Sequence, residues 1–550
     1  MSPLVWLTVP FLPLLAGVLL WLRPQQVAPW YWLACVPALL LSIWPTPALE
    51  LAMLWPGATW GADDLLARAW LGFSAVLWAC ASRFAVADLS DGRHVRRFWL
   101  FWLLSLTGNL LLVIAQDAAS FYIGFTLMSL SAYGLVVHLR GPAPRQAGRI
   151  YLQLAVLGEM LIYAGMLLRM HETGGLLGFA DWQNIPTSGL TAGLLLIGFG
   201  LKAGFWPLHV WLPLAHPAAP AAASAVLSGA MIKAGILGIW RFLPAEDALL
   251  QQWALWLLAI GAISAIYGVL LGLLQHQAKA TLAYSSVSQM GYLLIILALG
   301  WQQPEARPAA ALMLALYGVH HGLAKGALFM GAGLSTHVRL KVWHWVLMAI
   351  PALALAGLPL SSGAALKVLL KNSVENSLPG IWLTLLSIGS LATLLVVARA
   401  LWLMRQSQKT QELPAPLASQ VLPWALLCLI PIALPWLWPE MREALQQSLS
   451  GYALWAAVWP LALGLALSVM AIKLQWRIPA PLSHLPNPAR VVSIGFKRWM
   501  SRPPKQAPVP ASNAQRWRNL ERRWNRFFQP EAVAASAWLI GALLLLGWLS

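Results

Sequence analysis

A small set of titratable side chains stands inside long apolar runs of this sequence: Glu159, Lys202, Lys233, His320, His321, Lys325, Lys367 and Arg399. A charge at mid-bilayer costs at least ~2.5–3.5 kcal/mol on insertion scales, so such residues are few and functional by default. A lysine near the end of a span can instead snorkel to water, the ordinary alternative for Lys367 above all. Lys202 lies in GLLLIGFGLKAGFWPLHVWLPLAHP, where Gly198, Gly200, Gly204 and Pro207 interrupt an apolar helix at the lysine. A helix broken at membrane depth leaves N–H and C=O groups unpaired, which is tolerated only where protein or a water-filled cavity covers them. An ammonium held in such a place can give up and regain a proton. His209 and His216 follow in the same stretch, and Lys233 comes one span later, with Ser224 and Ser228 on the way. YGVHHGLAKGALFMGAG then sets His321 and Lys325 four apart, on one helix face. Histidine titrates near neutral pH. No clustered Cys, Asp or Glu accompanies the histidines, so a metal site is not expected. A proton relay fits this chemistry best.

The elements that must position these groups are transmembrane helices. The chain has 550 residues, of which 59% are hydrophobic and 10% charged, against roughly 25% charged in a soluble domain. Windows of ~19 residues find one apolar stretch after another. The runs are apolar on every side and longer than the ~10-residue alternating strands of a β-barrel. The expected fold is all-α, with about fifteen or sixteen spans, one of them an unbroken run over 343–370. The start, MSPLVWLTVPFLPLLAGVLLWL, runs straight into a span without a basic leader, so no cleavable signal is expected. Cys35, Cys80 and Cys428 fall in apolar stretches with no CxxC pair and read as packing residues. No Walker A loop, dinucleotide fingerprint or iron–sulfur cysteine run occurs, so no cofactor and no catalytic centre of its own are expected. Thirty-three tryptophans, among them Trp21, Trp30, Trp32, Trp44, Trp99, Trp102, Trp240 and Trp301 near span ends, read as an interfacial belt.

The loops carry the orientation. Basic loops (Arg93 to Arg97, Arg140 with Arg145, His276 with Lys279, Arg339 with Lys341, Arg405) alternate with acidic ones (Asp63 with Asp64, Asp117, Glu172, Asp181, Glu246 with Asp247, Glu305, Glu375, Glu440 with Glu443). The positive-inside rule makes the basic side cytoplasmic and puts both termini outside; Arg241 is out of step with the alternation. Residues 473–528 differ from the rest. They hold twelve Lys or Arg against Glu521 alone, a net +11 of the chain's +18. RPPKQAPVPAS reads as a proline-rich linker. SNAQRWRNLERRWNRFF reads as an amphipathic helix on an anionic membrane surface, ahead of a last span at 532–549. Basic charge of this kind points to membrane lipid or a partner, not to nucleic acid.

At GLKAGFWPLHVWLPLAHPAAPAAASAVLSGAMIKAG, LAYSSVSQMGY and HGLAKGALFMGAG the sequence resembles the antiporter-like membrane subunits of respiratory complex I, of hydrogenase-4 and formate hydrogenlyase complexes, and of multisubunit sodium/proton antiporters. The likeness covers about 95–405 and includes FYIGFTLMSLSAYGLVVH; HPAAP and IKAG are closer to the hydrogenase-4 and antiporter branch. It implies two inverted five-helix repeats, at 96–242 and 252–405, each with a broken helix and a half-channel. Around them stand N-terminal helices (1–95) and C-terminal helices (420–472). It puts Lys202 on the broken-helix lysine, Lys233 on the linking lysine, His321 and Lys325 on the central pair, and Arg399 on the lysine or glutamate of the second broken helix. Three residues depart from the family pattern. Thr126 in GFTLMS stands where a glutamate usually pairs with the broken-helix lysine. Arg399 brings a guanidinium that does not deprotonate in proteins. Tyr317 stands where many members have a histidine. Glu159, in LAVLGEMLIYAG, is expected to supply the missing carboxylate as the partner of Lys202.

The relay is therefore expected to comprise Glu159, Lys202, Lys233, His321, Lys325 and Arg399, with Thr126, His209, His216, His320, Tyr317 and Lys367 as secondary candidates. The function implied is that of a proton-moving subunit among other membrane subunits, in a bacterial-type inner membrane. Sodium remains an alternative ion, although it would want oxygen ligands. The alternative functions are a proton-coupled module of an inorganic-carbon or sodium uptake system and a diverged scaffold subunit whose relay no longer conducts.

Overall fold

The computed structural model describes residues 2–22, 28–44, 46–89, 94–408 and 413–474. The linker, the amphipathic helix and the last span expected after residue 474 lie outside the described residues. A 3-10 turn (Pro3–Leu7) leads into α1 (Thr8–Leu22), and a second (Ala28–Cys35) into α2 (Val36–Ile43). A two-stranded ribbon, β1 (Leu49–Glu50) and β2 (Thr59–Trp60), pairs antiparallel with Leu49 opposite Trp60. The helices then run α3 (Leu65–Asp88), α4 (Val95–Ile114), α5 (Ala118–Val136), α6 (Pro142–Glu172), α7 (Phe179–Gln183), α8 (Gly189–Ala203), α9 (Leu212–Ala218), α10 (Ala221–Val226) and α11 (Lys233–Phe242). The second half comprises α12 (Ala248–Leu273), α13 (Ala278–Gln302), α14 (Arg307–His337), α15 (Val342–Ala356), α16 (Ser362–Ser377) and α17 (Ile381–Gln408), followed by α18 (Ala418–Leu437), α19 (Pro439–Ser448) and α20 (Gly451–Lys473).

The protein is an all-α polytopic membrane protein. Among the described residues, ten helices are long and apolar enough to cross a bilayer, and four shorter apolar helices accompany them. The helices that begin at the acidic loops explain why those loops are acidic. Asp64 accepts a hydrogen bond from the Ala67 N–H at 2.6 Å, Asp117 from that of Ser120 at 2.8 Å, and Asp247 from those of Leu249 and Leu250. Each carboxylate satisfies amides that the first turn of a helix leaves unpaired, at the positive end of its dipole. Asp117 is fully buried and also accepts from the Trp55 indole and the Thr59 amide, which pins the ribbon over the α4–α5 joint.

Arg241, out of step with the charge alternation, is likewise a cap. Its guanidinium is buried and donates to the carbonyls of Leu112, Val113 and Ala115 at the end of α4. Trp99, Trp102 and Trp301 are buried against neighbouring helices and do not present their rings outward. The Trp102 indole donates to Ser82 and that of Trp301 to the Pro244 carbonyl. A buried ring with a satisfied N–H is a packing element.

α14 runs through the interior of the bundle, where it packs against α3, α10, α13, α15 and α18. Two helical interruptions stand beside Lys202 and Lys367. At the first, α8 ends at Gly204, whose φ of +72° is open to glycine at little cost. The chain crosses the cis Trp206–Pro207 bond before α9 begins. The second lies where one unbroken span over 343–370 was expected. α15 stops at Gly357, with φ +95°, and α16 restarts at Ser362.

Candidate functional site: a buried chain of titratable groups

Lys202 sits in the last turn of α8, buried against the break. Its ammonium donates a 3.0 Å hydrogen bond to the Tyr151 hydroxyl on α6, and the aromatic faces of Tyr151 and Trp211 lie 5.4 and 5.9 Å from it. The Trp211 indole donates to the Leu201 carbonyl at 2.6 Å and so closes the broken end. A cavity of about 10 Å³ lined by Ser129, Tyr151, Gly158 and Lys202 adjoins the site, close to the lower limit for one water. Glu159 is buried on α6 with one carboxylate oxygen lacking a hydrogen-bond partner. Its charge acts on Lys202, and Ser129 faces its carboxyl. Among the described residues no ion pair within 4 Å joins the two. Thr126 lies on α5 with its hydroxyl buried and unpartnered.

A second cluster surrounds α14. Between α10 and α11 the helix widens into one π turn, Leu227–Met231. The fully buried Lys233 ammonium reaches back to it and donates to the Ser228 carbonyl at 2.9 Å. The Ser228 hydroxyl meets that of Ser286 at 2.7 Å, and Ser286 donates to the Leu282 carbonyl on α13. Lys325 donates to that same carbonyl at 3.0 Å. These hydrogen bonds tie the π turn, α13 and α14 together around the two lysines, with the Ser228 backbone between the Lys233 contact and the Ser228–Ser286 hydroxyl pair.

Electrostatic proximity extends the cluster both ways. His216 lies under the influence of Lys279 and Lys325. His321 lies under that of Lys233, Lys325 and His320, and His320 under that of Lys367, which itself neighbours Lys371. Both ring nitrogens of His216 and His321 are buried without a hydrogen-bond partner among the described residues. His216 stacks on Phe329 at 4.4 Å, and His320 Nδ1 meets the Ser362 hydroxyl at 2.7 Å.

Lys367 is the lysine of the second broken helix. It lies on α16, with its ammonium on the Ala356 carbonyl and the Ser390 hydroxyl. A cavity of about 30 Å³ beside it is lined by Gln289, Tyr317, His320 and Thr393 among others. Tyr317 donates to the Gln289 side-chain carbonyl at 2.6 Å.

Two expectations change. Arg399 does not belong to the second broken helix: it lies on the continuous α17, half-buried, stacked 4.6 Å over Trp402 and donating to the Gln275 carbonyl. Its guanidinium thus caps the α12–α13 turn and stacks on a ring. His209 stands apart from both clusters, with both ring nitrogens unpartnered and its ring against Tyr267 and Tyr284. Tyr151, Ser286 and Gln289 escaped sequence reading, because each earns its place only through partners tens of residues away.

On the basic side a vestibule of about 990 Å³ opens, lined by Asp88, His138, Arg140, Pro217, Lys279 and His337 among others. His138, outside the spanning segments, is pushed down to about 4 by burial and by Arg97, His94 and Arg140, so its ring is neutral near pH 7. Lys279 donates from the vestibule wall to the Ala219 carbonyl, three residues beyond His216.

A membrane bundle with two broken helices, each carrying a buried lysine, and titratable groups strung toward one face has the build of an antiporter-like subunit. Residues 115–395, about half of the chain, match the NADH:quinone oxidoreductase/Mrp antiporter transmembrane family, and the chain belongs to it. It is 35% identical over 298 residues to hydrogenase-4 component B of Escherichia coli, covering 50% of this chain and 44% of that protein. It is 29% identical over 349 residues to the putative antiporter subunit mnhA2 of Staphylococcus epidermidis, covering 57% and 43%. The chain thus spans less than half the length of these two curated relatives. The Mrp complex of Dietzia sp. shares the fold, with a TM-score of 0.73 at 21% identity over 99% of this chain and 62% of that one.

Proposed function

We propose that this chain is a proton-translocating subunit of a multisubunit complex in a bacterial inner membrane, with its basic loops and vestibule on the cytoplasmic side. The observation that carries this reading is a succession of buried and partly buried titratable groups, each within electrostatic reach of the next, from Lys279 at the vestibule, through His216, Lys325, Lys233, His321 and His320, to Lys367. A proton entering at the vestibule meets groups that can each accept and release it, with the Ser228 and Ser286 hydroxyls standing between the helices that carry Lys233 and Lys325. Lysine and histidine cannot ligate sodium in the way a cage of oxygens does, so the proton is the favoured ion. The first half, 96–242, carries the Glu159–Lys202 cluster, and the second, 252–405, carries the rest apart from Lys233 and His216. Each half runs through three long helices, a broken one and one more. The partners are other membrane subunits, with lipid covering the apolar outer faces of α6, α17 and α20.

Proton uptake or release in vesicles holding the intact complex tests the reading. Lys202→Ala and Lys325→Ala are each expected to cut coupled proton movement at least tenfold while the complex stays assembled. Undiminished movement in both variants would leave the fold as a scaffold.

A further inference from the structure

Lys202 has one hydrogen-bond partner among the described residues, the Tyr151 hydroxyl. That hydroxyl is itself committed, since it donates to the Ser129 carbonyl on α5 at 2.7 Å. A phenol has one proton to give. With that proton on Ser129, only the lone pairs of the Tyr151 oxygen face Lys202, and they suit an ammonium that donates. Among the described residues no other oxygen accepts a hydrogen bond from the ammonium, although the unpartnered Ser129 hydroxyl lines the same cavity. Trp211 and Phe125 close the cavity with rings, and α11 meets α8 through Gly235 and Gly238, packed on Phe199 and Ala203. The charged group that acts on Lys202 is Glu159, from a distance beyond an ion pair.

We infer that Tyr151 is the positioning residue of Lys202, a neutral acceptor aimed by Ser129 that holds the ammonium in place of a contacting carboxylate. The inference rests on the proton-translocating reading and names how its first lysine is poised. In a contact ion pair, deprotonating the lysine strands an anion, and charged hydrogen bonds are the strong ones. Releasing a proton from a lysine held by a phenol strands nothing; the neutral amine keeps the Tyr151 oxygen within reach. The site can then reload without an anion being drawn away, and Glu159 biases it only through space.

The test uses the assembled complex in vesicles, with coupled proton movement measured across a pH series. Tyr151→Phe removes one oxygen and keeps the ring that packs on Trp211. Losing an acceptor of a charged hydrogen bond is expected to move the midpoint at which Lys202 releases its proton about one unit to lower pH, with maximal flux retained within a few-fold. Should that variant fail to assemble, 3-fluorotyrosine at position 151 keeps the shape and weakens the oxygen as an acceptor. A smaller shift in the same direction is then expected. An unmoved midpoint in an assembled variant, with Lys202→Ala inactive beside it, overturns the role of Tyr151 and leaves the relay standing. Flux surviving in Lys202→Ala removes Lys202 from the relay and this inference with it, and flux surviving in Lys325→Ala as well overturns the relay itself.

Discussion

The Lys367 ammonium is held by two oxygens from different helices, the Ala356 carbonyl where α15 ends and the Ser390 hydroxyl on α17. Arg399, on that same α17, is turned to the Gln275 carbonyl and the Trp402 ring. Only the lysine can exchange a proton, because guanidinium stays charged. Lys367→Ala is therefore expected to reduce coupled proton movement at least tenfold in vesicles holding the complex. Arg399→Gln should leave it within about twofold and lower only thermal stability. The reverse ranking would return Arg399 to the relay. Sequence alone favoured Arg399, because Lys367 sat within a run that hydropathy reads as one continuous span, close enough to its end to snorkel. Lys202, Lys233, His321 and Lys325 were legible because an ionisable group in an apolar run needs no partner to be noticed. Tyr151 was not legible, since a tyrosine in a membrane helix is unremarkable until the lysine fifty-one positions on is seen to rest on it.

Breaks are the elements that make these lysines usable. At the first, glycines and Pro207 announce the interruption in the sequence. At the second, GLPLSSG interrupts a run of similar hydropathy, and only the backbone reveals that α15 and α16 are separate. Gly357 turns the chain there in the left-handed region, and a Cβ on it would sit 2.6 Å from the Lys367 side chain. Gly357→Ala is expected to cost about 1–2 kcal/mol of stability for the backbone alone and to push the lysine off its oxygens. The purified complex should show a lower melting midpoint and flux reduced severalfold. Gly380→Ala, where a Cβ meets open space, should change neither, and equal effects at both positions would remove the special role of the turn.

For the molecule as a whole, charge divides the two faces. The acidic side is built of helix N-caps, and the basic side of loops and the vestibule. Fold class and alternation were legible because lipid imposes them on every span. The inner position of α14 was not, since periodicity carries no information about which apolar helix is central. Orientation can be read with single cysteines placed at the exposed positions His276 and Glu305 in a background lacking Cys35, Cys80 and Cys428. All three native cysteines are free and buried. An impermeant thiol reagent is expected to label position 305 from outside intact cells and position 276 only in inverted vesicles. The opposite pattern would invert the topology, and with it the direction assigned to the vestibule.

The π turn at Leu227–Met231 sets a rotational phase. An α-helix advances about 100° per residue, and a turn closed from i to i+5 takes in one residue more. Everything after it is therefore rotated by roughly that angle relative to an uninterrupted helix. Before the turn, α10 faces α14 and α3; after it, α11 faces α8. One membrane crossing thus presents correctly phased surfaces to both halves of the protein, and Lys233 stands where the phase changes.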